Sequence, residues 1–280
     1  MINIYKGELF KFYKRSLFTV VASIVLLVYV ISFFIRLSLI PGLSKMPPAA
    51  IKELMFSNLY FTVLETSATP LLISSFIIIC SMIGSEYGAN TFKTIAMRGT
   101  SKLGFINSKI LAVLTFTTIF VFVGATVFTV LALFNQTKIL GPGDLQIIEA
   151  PINPFFAIVT FFIFILWLLP YLGLGMFVTL LTKSSGASIA LGFVYFVFVE
   201  NFLQFLFAIL ASKYGEWLLE IPKYLLGSQL RAINDVQLFV LNSETEYLTQ
   251  IYKPLLISTA YALIFYYGSI WLIKRRDILN

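Results

Sequence analysis

At 280 residues, 59% hydrophobic, 16% aromatic and only 12% charged, the chain is too apolar for a soluble domain, which carries about 25% charged residues. It reads as an all-α integral membrane protein, and its net charge of +7 as a matter of membrane orientation. The absence of histidine and the single cysteine, Cys80, exclude histidine acid–base chemistry and internal disulfides, and remove the usual ligands of zinc, haem and iron–sulfur centres.

Residues 1–15 interleave Ile2, Ile4, Leu9, Phe10, Phe12 and Tyr13 with Lys6, Glu8, Lys11, Lys14 and Arg15. Such a segment predicts an amphipathic helix lying in the membrane interface. The apolar run at 16–35 is long enough to cross about 30 Å of hydrocarbon and forms the first span, with Arg36 snorkelling at its far end. Pro41, Gly42, Pro47 and Pro48 break up the loop that follows. A second span covers 59–83, with Glu65 near its outer end and Pro70 as a hinge candidate.

Residues 84–108 form a polar insert between two apolar runs. Asn90 or Thr91 caps a short helix from Phe92 to Arg98, Gly99 ends it, and Thr100 or Ser101 caps the next helix, which runs through Lys109 into the membrane. Phe92, Ile95 and Ala96 share one apolar face, with Lys93 and Arg98 supplying charge beside it. That face needs either a protein partner or the lipid headgroups.

The third span covers 109–134 and the fourth 155–181, the latter with Pro170 as a second hinge candidate and Gly173 and Gly175 just beyond it. After a tight turn at 182–186 the fifth span, 187–210, carries Glu200 and Asn201 at its middle. A charge there costs about 2.5–3.5 kcal/mol on insertion scales, so Glu200 should face protein or a water-filled path. Two readings follow: contact with a transported solute, or a hydrogen bond that joins helices. Glu65, nearer an interface, is the third candidate for the path, though solvation accounts for it more simply. Residues 211–253 form a mixed-charge outer segment whose Trp217, Leu218, Ile221, Leu225, Leu226 and Leu230 are spaced as short amphipathic helices broken by Pro222. The sixth span, 254–273, ends at Lys274, Arg275 and Arg276, and the whole chain reads as one domain.

The N-terminal segment, the insert, Lys183 and the C-terminal tail hold Lys6, Lys11, Lys14, Arg15, Lys93, Arg98, Lys102, Lys109, Lys183, Lys274, Arg275 and Arg276, against only Glu8, Glu86 and Asp277. The positive-inside rule therefore predicts a multi-pass protein of the cell membrane with both termini and the insert cytoplasmic. No basic, aromatic-studded soluble surface suggests nucleic acid, so membrane lipids are the expected surroundings. The chain has no G-x-x-x-x-G-K-[ST] loop, no G-x-S-x-G and no G-x-G-x-x-G. Any energy source must come from another protein.

The insert reads E-Y-G-x-x-T-x-K-x-x-x-x-x-G-T-S-K-x-x-x-x-x-S-K over residues 86–109. Together with the six spans, the interface helix and the long outer segment, it resembles the permease subunit of a type-2 ATP-binding cassette exporter. The resemblance is specific in sequence only over that stretch. It implies that Glu86, Gly88, Thr91, Lys102 and Lys109, with Phe92, Ile95 and Arg98 of the short helix, couple the chain to an ATP-binding subunit. Lys102 stands where the family usually has arginine, which keeps the charge but loses the bidentate geometry. The resemblance further implies re-entrant helices between spans five and six, and a second permease, identical or related. ATP and magnesium would sit on the partner, with no cofactor in this chain. The expected cargo is an amphipathic or hydrophobic solute, preferably an antimicrobial peptide or drug-like compound. Two other readings fit a chain of this composition. One is an intramembrane lipid-modifying enzyme built on Glu65 or Glu200; the other is a sensor or scaffold that moves no solute.

Overall fold

Long apolar runs in a medium without water must satisfy their backbone groups internally, and a helix does so within one segment. The computed structural model of the protein describes residues 2–38, 59–89, 102–139, 154–229 and 244–275, and these are overwhelmingly helical. In chain order the elements are α1 (Ile2–Tyr13), α2 (Ser16–Ser38), α3 (Leu59–Gly88), α4 (Lys102–Ile139), α5 (Pro154–Thr182), α6 (Ser185–Val194) and α7 (Glu200–Tyr214). A π-helical turn, Tyr195–Val199, joins α6 to α7; a 3-10 helix, Glu216–Tyr224, follows, and α8 (Glu244–Arg275) closes the described chain. Among the described residues five helical stretches are long and apolar enough to cross a membrane, α6, the π turn and α7 counting as one, or up to six if α1 and α2 count as one broken span. The shortest of the five, Ala68–Gly88, has 21 residues, about 31 Å of helix.

The helices overrun the limits expected from hydropathy. α3 continues to Gly88 rather than ending at Ile83, whereas α4 begins at Lys102, directly after the Thr100 or Ser101 cap expected for it. Polar residues at these ends keep helical backbone after apolar composition fades. α8 begins at Glu244, and Pro254, expected to open the sixth span, lies inside it. Pro70 and Pro170 are likewise inside α3 and α5. The turn expected at 182–186 contracts to Lys183 and Ser184. Lys183 takes a positive φ of 55°, and the Ser184 hydroxyl accepts from the Ala187 backbone N–H as the N-cap of α6. Gly215, at φ 118°, ends α7, a conformation that L side chains rarely adopt. Pro222, expected to break the outer segment, sits within the 3-10 helix.

The contacts divide the chain into two units. In the first (residues 1–15, 75–114 and 165–280) α3 buries Ile78, Ile79, Cys80, Met82 and Ile83. Close approach is possible there because Gly175, Gly192 and Gly84 present no side chain. A Cβ on Gly175 would lie 2.7 Å from Ile79, one on Gly192 would enter the Phe76 ring, and one on Gly84 would meet the Ser185 backbone. Phe76 packs edge-on against Phe196 at 5.2 Å between ring centres. Gly84 is thus a helix contact point rather than the start of a loop. In the second unit (16–74 and 115–164) Tyr29 is fully buried, its hydroxyl donating to the Phe120 carbonyl at 3.1 Å and its ring lying where a Cβ on Gly124 would stand.

Candidate functional site

Four charges from three helices converge within the first unit. α1 contributes Glu8 and Lys11, one turn apart and so on the same face; the last turn of α3 contributes Glu86, and α4 contributes Lys109. The Lys109 ammonium donates to Glu8 Oε2 at 2.6 Å, to Glu86 Oε1 at 3.3 Å and to the Met82 carbonyl at 3.3 Å, and lies 4.4 Å from the centre of the Phe105 ring. Its side chain is 1% exposed, those of Glu8 and Glu86 5% and 3%. Lys11, half exposed, reaches Glu8 Oε1 at 3.1 Å and Glu86 Oε1 at 3.4 Å. Arg15 donates to the Ser81 carbonyl at 3.4 Å, a further tie between the N-terminal segment and α3.

Taking an ammonium and two carboxylates out of water is expensive, and only close opposite charges with additional hydrogen bonds offset it. Here each carboxylate has two cations and each cation two carboxylates. The effect is visible at Lys11: desolvation pulls its pKa down, yet Glu8 and Glu86 outweigh it and the pKa ends above the ordinary lysine value.

A second set of contacts surrounds Glu200. The π turn ends at this residue, whose N–H bonds to the Tyr195 carbonyl, and the Glu200 side chain is buried. Its Oε1 accepts from the Gly227 backbone N–H at 2.8 Å. Neighbouring residues fasten the same stretch of the outer segment. Gln204 donates to Ser228 at 3.1 Å, Tyr171 to the Leu226 carbonyl at 3.3 Å and Tyr261 to the Tyr224 carbonyl at 3.1 Å. A Cβ on Gly227 would coincide with Glu200 Oε2, so only glycine lets the carboxylate this close to the backbone. Helices α5, α7 and α8 therefore hold residues 224–228 through four hydrogen bonds.

Of the residues singled out in sequence, Glu86 and Lys109 meet directly. Gly88 is the last residue of α3 and is exposed. Lys102 opens α4, but its side chain, like Thr91, Phe92, Ile95, Arg98 and the Glu65 side chain, lies outside the described residues. Asn201 does not share the surroundings of Glu200: it is exposed and its amide bonds back to the Val197 carbonyl at 2.8 Å. Glu8 belongs to the cluster although its sequence position marks it only as a solitary acid in a basic segment. The one signal was its spacing to Lys11; nothing in sequence connects residue 8 to residue 109.

The fold and these two polar centres define an all-helical protein of membrane-spanning type whose buried charges join helices to each other. The chain belongs to DUF2705, a protein family of unknown function, whose model matches residues 50–279. No curated protein and no solved structure matches the chain.

Proposed function

We propose that the chain is the permease subunit of a type-2 ATP-binding cassette exporter in the cell membrane, with both termini cytoplasmic. It works with an ATP-binding subunit that carries ATP and magnesium, and with a second permease, to move an amphipathic or hydrophobic solute outward. The observation that supports this reading is the buried cluster of Glu8, Glu86, Lys11 and Lys109. α3 and α4 are the two helices on either side of the insert, and the cluster ties their near ends to each other and to α1. A displacement applied to the insert would be delivered to three helices as one body. That is the property a coupling element needs, because a force transmitted through a loose loop is lost in local bending.

The Glu200 side chain is buried and accepts from the Gly227 backbone N–H, and so resembles a structural joint more than a catalytic acid, which weighs against the enzyme reading. The test is to co-express the chain with each ATP-binding protein encoded beside it, isolate the complex in mild detergent and assay ATP hydrolysis. A stable complex that loses its partner on combined Phe92→Ala and Ile95→Ala substitution is the expected result. Failure of every such protein to co-purify, or binding untouched by those substitutions, would overturn the proposal.

A further inference from the structure

A cavity of about 350 Å³ lies where α4, α5 and α8 face one another within the first unit. This is within the range of small-molecule sites. Its wall is apolar, including Leu111, Leu172, Ala262 and Leu263, except for Asn107 and Tyr266. Leu111 and Leu263 are 44% and 49% exposed, so the cavity opens sideways between helices rather than toward a helix end. The Tyr266 hydroxyl donates to Asn107 Oδ1 at 2.8 Å. The amide N–H groups of Asn107 have no hydrogen-bond partner among the described residues, and an unmet donor in an apolar wall is costly.

Asn107 lies about 6 Å along the helix from Leu103, where the apolar window of α4 begins. That places the amide near the boundary between headgroups and hydrocarbon, the level of lipid ester carbonyls. The chemistry of the wall narrows the occupant. No charged side chain lines the cavity, so a free carboxylate would be buried without a counter-ion. The volume is too small to admit a helix about 10 Å across. What fits is a single hydrocarbon chain with one neutral hydrogen-bond acceptor near its polar end.

We infer that the cavity holds one acyl chain of a bilayer glycerolipid, whose ester carbonyl accepts from the Asn107 amide while Tyr266 fixes the amide's orientation. The site lies beside the charge cluster on α4: Asn107 and Lys109 are two residues apart and so point to different faces of the helix. An occupied cavity would brace α4 against α5 and α8 on the side away from α1. The inference is independent of any ATP-binding partner.

The full chain would be reconstituted in nanodiscs of ether-linked lipid containing a diacyl glycerolipid with a diazirine on one chain, and photolabelled peptides mapped by mass spectrometry. Labelling should saturate and concentrate on peptides containing Leu111, Leu172 and Leu263. Unlabelled ester-linked lipid should compete about 2- to 12-fold better than its ether-linked analogue, the worth of one hydrogen bond. Asn107→Leu should abolish that preference while labelling persists, and Ala262→Phe, which fills the cavity, should cut labelling several-fold. Leu263→Trp closes the site from its exposed side and replaces Ala262→Phe if that variant does not fold. Unsaturable labelling shared equally with the exposed Phe198 and Phe202 on the α6–α7 stretch would mark ordinary bilayer contact and overturn the inference. An ester preference that is absent, or that survives Asn107→Leu, would overturn it equally, as would a fatty acid carboxylate that competes better than the ester.

Discussion

Lys109→Met is the sharpest probe of the charge cluster, because it keeps the length and apolar stem of the side chain and removes only the ammonium. In the native protein that ammonium bonds to Glu8 Oε2 at 2.6 Å, Glu86 Oε1 at 3.3 Å and the Met82 carbonyl at 3.3 Å, with 1% of the side chain exposed. Without it, two carboxylates that are 5% and 3% exposed lose their closest buried cation, and Lys11, half exposed, is left beside both. Removing one partner of a buried pair costs about 3–5 kcal/mol, against less than about 1.5 kcal/mol for a hydrophobic exchange that conserves volume. At about 2–4 °C per kcal/mol for a chain of roughly this size, the midpoint of thermal unfolding should fall by about 6–20 °C. The only cysteine, Cys80, is fully buried, so a fluorogenic thiol reagent added during a thermal ramp reports the transition directly. Adding Glu8→Gln to Lys109→Met should restore part of the loss, since it removes one of the stranded charges. A fall of less than about 2 °C for the single variant, or a further fall for the double variant, would refute the account of the cluster as a paired, desolvated network.

Two other consequences are accessible in the same preparation. Lys11 has a folded-state pKa raised above 10.5, so its contribution to stability is complete below that value and is lost as pH rises through the higher folded value. Thermal midpoints should therefore be level through neutral pH and decline in the strongly alkaline range, and Lys11→Met should remove that part of the alkaline decline; an unchanged profile would dissociate Lys11 from the cluster. Gly227→Ala places a methyl group on Glu200 Oε2 and breaks the Gly227–Glu200 bond. Losing a hydrogen bond to a buried acceptor costs about 1–3 kcal/mol, so amide exchange in residues 216–229 should accelerate about 5- to 150-fold by mass spectrometry. Wild-type exchange rates there would mean that the other three bonds suffice.

The helices were legible because hydrocarbon leaves the backbone no alternative, but several of their ends were not. Hydropathy falls at Gly84, whereas the helix persists to Gly88 because Glu86 finds its cations on α1 and α4 rather than in water. The start of α4 was legible from its Thr100 or Ser101 cap, but the burial of Phe105, Ile106, Ser108 and Lys109 in the first unit was not, because their segment reads as polar. Pro254 was misplaced because a proline mid-helix and one at a helix start look alike in a single sequence. Glu86 and Lys109 stood out through their place in the insert. Glu8 did not, because its role depends on how a distant helix packs, and Gly227 could not, because its importance lies in the space denied to a Cβ.

Glu200 was expected either to meet a solute or to join helices, and its bonds bear on how both can hold. Oε1 is taken by the Gly227 N–H, while Tyr171, Tyr261 and Gln204 secure the residues on either side. A solute that reached this side chain would have to replace a hydrogen bond worth about 0.5–1.5 kcal/mol net. A cationic or donor-rich molecule can do so; an apolar one cannot. Asn201, unlike Glu200, is exposed, and its amide donates to the Val197 carbonyl one turn back. In the state described here Glu200 therefore acts as the fastening of residues 224–228. Any path past α7 that uses it must first release that segment. The π turn immediately before Glu200 is where such a release would be cheapest, since its i→i+5 bonding, from the Glu200 N–H to the Tyr195 carbonyl, needs little more than a local rewinding to shift the side chain around the helix.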